Sequence, residues 1–146
     1  MRRARGFTLI EIIAVLAIGV AALALISGMV FRGPSTSDLK AAARTLAAGL
    51  RQAQSTAMVT RRDASLTVDL DSREFWLPNE TESHKLPAGL ELKLFTAQSE
   101  AVSEKRGGIR FYPDGSSTGG RITVQSGERK FLVDVDWLTG RVAIND

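Results

Sequence analysis

A chain of 146 residues has room for one modest domain and an anchor. It has no cysteine, which excludes a disulfide framework and a Cys-based metal site, and His84 is its only histidine, so any histidine-based catalytic pair would rest on that residue alone. The formal charge of +3 comes from the amino terminus: with Arg2, Arg3 and Arg5 set aside, the 19 basic residues fall to 16 against 16 acidic ones, which leaves no global electrostatic case for nucleic acid.

From Ile12 to Phe31 the only polar side chain is Ser27, a run of about twenty residues that suffices to span a bilayer as a helix. Arg2, Arg3 and Arg5 would hold the preceding end in the cytoplasm and send the remainder across, into a bacterial periplasm. Glu11 interrupts the apolar segment, at a cost of at least a few kcal/mol unless it finds a partner. Three readings account for it. The first is a secretory signal peptide cleaved near Ala22-Leu23-Ala24, whose core the glutamate would break. The second is a plain anchor with an incidental charge, and the third a segment whose glutamate acts in assembly.

The stretch RGFTLIE, Arg5 to Glu11, resembles the processing motif of type IV pilins and type II secretion pseudopilins. That resemblance implies that residues 1–6 are a leader cut off between Gly6 and Phe7 by a prepilin peptidase. It also implies that Phe7 becomes N-methylated and that Glu11 is the fifth residue of the mature chain. The chemistry agrees. Glycine lets the chain enter a narrow protease site extended. Cleavage creates an ammonium at Phe7, which Glu11 of a neighbouring chain would meet in a filament, each offsetting the desolvation of the other.

A helix over 7–31 would be roughly 37 Å long. In RGPSTSD, Gly33 and Pro34 weaken or kink it. Ser35, Thr36, Ser37 or Asp38 can cap a new helix. Leu39, Ala42, Ala43, Leu46, Leu50, Ala53 and Ala57 then recur with helical spacing, which predicts an amphipathic helix to about Thr60 packed on a sheet, closed by Arg61 and Arg62. The chain thus divides into a leader (1–6), a transmembrane and assembly helix (7–33), an amphipathic second half (34–62) and a β-rich head (63–146).

Past Arg62 the period becomes two. Strands are predicted at 64–70 and 74–77, joined by a hairpin turn at Asp71-Ser72-Arg73, then at 89–97, 108–112, 121–126, 129–137 and 142–144. The segment NETESHKLPAG reads as a solvated loop. Phe131, Val133, Val135 and Trp137 share one face of the longest strand, and Asp134 and Asp136 the other. Clustered oxygens at Asp114, Asp134 and Asp136 make calcium conceivable, although the spacing is not that of an EF-hand. No nucleophile–base–orienter set is legible around Ser116, Ser117, Thr118 or His84, so no catalytic residue, metal or cofactor is assigned and an enzyme is not expected.

IRFYPDGSSTGGRITV followed by VDVDWLTGRVAI is similar to the C-terminal part of the protein H/FimT-type pseudopilin domain. The resemblance implies an α+β, type IV pilin-like fold, with a long amino-terminal helix packed on a small antiparallel head of two sheets. In it Gly115 to Gly120 would be a flexible surface loop. It further implies a minor pseudopilin of the type II secretion system, near the pseudopilus tip, helping folded proteins cross the outer membrane. Such a chain would sit in the bacterial inner membrane by one span, amino terminus cytoplasmic and head periplasmic. Its partners would be the major and other minor pseudopilins and the prepilin peptidase, with secreted proteins or the outer-membrane secretin as further candidates. The alternative is a FimT-like minor pilin of a type IV pilus, acting in DNA uptake or pilus assembly. The balanced charge argues against nucleic acid as a partner.

Overall fold

The computed structural model describes residues 8–30 and 33–146, with the side chains of the first helix described through Leu23. The chain separates into two units, 1–33 and 34–146, each taken here by itself.

In the first unit, α1 runs from Leu9 to Val30. Leu9, Ile10, Ile12, Ile13, Val15, Leu16 and Ile18 all expose half or more of their surface, so the apolar residues of this helix are not consumed by folding. Among the described residues, no helix is long and apolar enough to cross a membrane.

The second unit opens with α2, Thr36 to Thr60. Of the four candidate caps, Ser35 is the N-cap. Its hydroxyl accepts a hydrogen bond from the Asp38 N–H, while the Asp38 carboxylate accepts from the Ser35 N–H at 2.9 Å, a reciprocal box that satisfies two otherwise orphaned donors. The helix ends at Arg61, held in the left-handed region with φ 54°. Its buried face is Leu39, Ala42, Ala43, Leu46, Ala47, Gly49, Leu50, Ala53 and Ala57, the predicted stripe plus Ala47 and Gly49.

Eight strands follow: β1 (Ala64–Asp69), β2 (Glu74–Trp76), β3 (His84–Lys85), β4 (Glu91–Thr96), β5 (Arg106–Phe111), β6 (Gly120–Ser126), β7 (Arg129–Val135) and β8 (Val142–Asn145). They form two four-stranded antiparallel sheets, ordered β3-β2-β1-β5 and β4-β6-β7-β8. Inward residues alternate as the period demanded: Leu66, Val68, Ile109 and Phe111 from the first sheet, Ile122, Val124 and Val133 from the second. The helix α2 lies against β1 and β5 of one sheet and β6, β7 and β8 of the other. One helix face therefore closes both sheets into a single core.

Three expectations are corrected. Residues His84 and Lys85, read as loop, form an edge strand in which His84 faces Phe75 across the pair. Both are exposed and the strand is two residues long, too short to show an alternation. Second, β7 stops at Val135, and Trp137 is 66% exposed instead of sharing the inner face. The Asp136 carboxylate ends the strand, accepting from the N–H groups of Leu138 (3.1 Å) and Thr139 (2.8 Å). Third, 115–120 is pinned. Ser117 is buried, its N–H donates to the Trp137 carbonyl at 2.8 Å and its hydroxyl to the Asp136 carbonyl at 3.0 Å.

These turns meet α2 through one side chain. The Gln54 amide donates to the Gly115 carbonyl at 2.9 Å and to the Thr139 carbonyl at 3.1 Å. Gly140, at φ 63°, passes so close to Gly115 and Gln54 that a Cβ there has no space. Two outcomes are expected in urea denaturation. Leu46→Ala, emptying a fully buried site, should lower unfolding free energy by about 2–5 kcal/mol. Gly140→Ala should cost about 2 kcal/mol or more, from backbone strain and overlap together.

Candidate assembly site

Of the residues singled out for processing and assembly, Arg2, Arg3, Arg5, Gly6 and Phe7 lie outside the described residues. Glu11 is described, and the structure gives it a local role that the sequence reading missed. Its backbone N–H faces the Thr8 hydroxyl at 3.3 Å, and its carboxylate accepts from the Thr8 N–H at 3.4 Å. The pair is a long capping box at the start of α1, and Thr-x-x-Glu is its sequence signal. The carboxylate therefore sits exposed beside the positive end of the helix dipole.

In the head, the histidine, serine and aspartates singled out from the sequence are each engaged in local contacts. The His84 ring lies 2.8 Å from a Glu80 carboxylate oxygen and stacks on Phe75 at 5.1 Å, and no hydrogen bond joins it to a serine among the described residues. The Ser116 hydroxyl donates to Asp114 at 2.6 Å, within its own turn. Asp134 is engaged by Arg121 and by the Asn145 amide at 2.8 Å, and Asp136 by its turn. Asp114, Asp134 and Asp136 thus each serve a separate local contact, and among the described residues no cluster of three metal-ligating side chains forms. What the outer face of the second sheet does present is a shallow groove. Exposed Phe95 and Trp137 line it with Gly119 and Gly120, together with the Arg121–Asp134 pair. Trp137 was legible as an aromatic but not as a surface one, because only the Asp136 turn takes it off the strand.

The fold is that of minor pilin-like subunits. The type IV minor pilin FimU of Pseudomonas aeruginosa superposes with a TM-score of 0.59 at 18% identity, over 75% of this chain and 90% of that one. The minor pseudopilin EpsH from the type 2 secretion system of Vibrio cholerae does so at 0.57 and 16%, over 74% and 96%. In sequence, the prokaryotic N-terminal methylation motif matches residues 1–27, and the type II transport protein GspH family matches residues 42–139. The type II secretion system protein H of Xanthomonas campestris pv. campestris is 33% identical over 145 residues, covering 97% of this chain and 83% of that protein. The chain belongs to the GspH family of type II transport proteins.

Several aspartates of the head titrate low. Hydrogen bonds from Ser35, first through its hydroxyl and then its N–H, hold Asp38 below its ordinary 3.8. Asp136 is lowered by the Thr139 N–H and then its hydroxyl, Asp114 by the Ser116 hydroxyl and N–H, and Asp69 chiefly by the Ser72 N–H. A carboxyl group depressed in the folded state stabilises the fold above its unfolded pKa, and that contribution is lost as pH falls through the folded value. The contribution of these four carboxylates should therefore be fully present above about pH 5 and be lost progressively below about pH 4. Urea midpoints across that range check this. A variant carrying Asp38→Asn and Asp136→Asn should show a shallower acid limb.

Proposed function

We propose that this chain is a minor pseudopilin of a type II secretion system, a structural subunit of a periplasmic pseudopilus that helps folded proteins across the outer membrane. The observation that carries the reading is the joint match of the methylation motif at 1–27 and the GspH family at 42–139 in one chain. In this reading a prepilin peptidase cuts between Gly6 and Phe7 and Phe7 is N-methylated. The apolar helix α1 holds the chain in the inner membrane, with Arg2, Arg3 and Arg5 on the cytoplasmic side and the head in the periplasm. Its partners are the other pseudopilins, and it stands near the tip. The chain acts by assembly and is not an enzyme. FimU shares the fold, so architecture alone serves a type IV minor pilin as well. The relative aligned over nearly the whole chain is a secretion protein, and that favours the secretion branch.

Glu11 performs two tasks in sequence. Within the chain it caps α1. In the filament its charge meets the Phe7 ammonium of a neighbour, which sets the axial register. The two are separable, because glutamine also serves in a capping box. Glu11→Gln should be inserted, cleaved and helical, yet enter the pseudopilus as poorly as Glu11→Ala, with at least about a tenfold loss in cross-linked filament. Normal incorporation of the glutamine variant would reduce Glu11 to a cap.

The broader test is a strain lacking this chain. Secreted enzymes should accumulate in the periplasm and return to the medium on complementation. Unchanged export would overturn the secretion reading.

A further inference from the structure

The second unit carries a charge asymmetry that its packing does not use. Between Pro34 and Arg62 stand five basic residues, Lys40, Arg44, Arg51, Arg61 and Arg62, and one acidic residue, Asp38, which the cap engages. From Asp63 to Asp146 the balance reverses, 10 basic against 14 acidic. Half of those ten cations are paired: Lys85 with Glu74, Lys105 with Asp71, Arg106 with Asp69, Arg110 with Glu100, Arg121 with Asp134. Lys40 and Arg44, by contrast, have no ion pair or hydrogen bond among the described residues.

Lys40, Arg44 and Arg51 fall on one flank of α2, by the i, i+4, i+11 spacing, and all three are exposed. Arg51 is steadied by the Val142 carbonyl at 3.2 Å and still reaches solvent. Beside them on the exposed face lie Ala41, Thr45 and Ala48, short and uncharged. The result is a cationic ridge with a low shoulder along an exposed flank of α2, which meets β8 at its Arg51 end.

Its place in the chain limits what can meet it. Thr36 follows Val30, the end of α1, by only six positions in the sequence. Arg32, Lys40 and Arg44 all fall within fifteen residues of Val30, on the flank opposite Arg2, Arg3 and Arg5. Orientation in the membrane calls for cations on the cytoplasmic flank only, so the second set needs another explanation.

We propose that this ridge docks on anionic phospholipid headgroups at the membrane surface, before the subunit enters a filament. The inference rests on α1 being the membrane anchor. Phosphate oxygens are the acceptors that the Lys40 and Arg44 side chains lack among the described residues, Arg51 adds its charge at the far end of the ridge, and the low shoulder lets the helix approach the headgroup layer.

The absence of cysteine allows single reporters on the full chain. An environment-sensitive fluorophore is placed at Ala48→Cys on the ridge, or at Ala22→Cys on α1. The protein is reconstituted in vesicles of phosphatidylcholine alone or with about one-third phosphatidylglycerol. The Ala22 reporter should be bright in both. The Ala48 reporter should brighten about twofold or more only with phosphatidylglycerol, and lose that gain in about 0.5 M salt and in a Lys40→Glu, Arg44→Glu background. The salt arm needs no ridge variant, so misfolding cannot mimic the result. Equal Ala48 emission in both lipids, with Ala22 bright, would overturn the docking and assign the ridge to an acidic protein surface. An Ala22 reporter left in water in both vesicles would overturn the anchor itself, and the docking with it.

Discussion

The head depends on the close approach of one helix to two sheets at once. Helix α2 achieves this with small residues: Ala42, Ala43, Ala47, Gly49, Ala53 and Ala57 lie buried between Leu39, Leu46 and Leu50. A Cβ on Gly49 would stand 2.9 Å from the Leu66 side chain and 3.3 Å from Phe75, so the helix backbone touches the first sheet almost directly. Larger residues there would wedge the layers apart and open voids beside the leucines. Two four-stranded sheets, each buried on one face, share a single lid, and the turns that bear Trp137 and Ser117 are fixed to the same helix by Gln54.

Most of this was legible because the chain switches cleanly from one periodicity to the other. The stripe from Leu39 to Ala57 marked the helix, and its start was marked by a run of capping residues from which the structure selects Ser35. Alternation located all but one strand, since those strands are half-buried and must alternate. What escaped is what periodicity does not encode. The strand at His84 and Lys85 is held by two register pairs with β2, not by burial. Trp137 leaves the inner face because Asp136 prefers to close a turn. Gly115 to Gly120 has the composition of a loose loop, yet buried Ser117 fixes it by tertiary hydrogen bonds. At the candidate site, the charge of Glu11 stood out against its apolar surroundings, whereas its bond to Thr8 did not, although the Thr-x-x-Glu spacing was present to be read.

The two units divide the physics between them. Around α1, apolar side chains remain exposed, and the one carboxylate is occupied by a weak, long contact with its own chain, a contact easily exchanged for a charged partner. The second unit is self-sufficient. Its buried side-chain polar atoms all have partners among the described residues, and half of the lysines and arginines within 63–146 are ion-paired there. Demand for partners is thereby concentrated at the apolar helix, at the ridge of Lys40 and Arg44, and at the groove between Phe95 and Trp137.

The attachments of Arg51 and Gln54 carry a mechanical consequence. Both join α2 to segments more than sixty positions away, at Val142, Thr139 and Gly115. A load applied along the axis of α2 meets these bonds side by side, together with the interlocked alanine and leucine face, instead of peeling them one after another. Shear against several bonds in parallel resists far more force than unzipping the same bonds in series. A head built this way moves as one body when its helix is pushed or pulled.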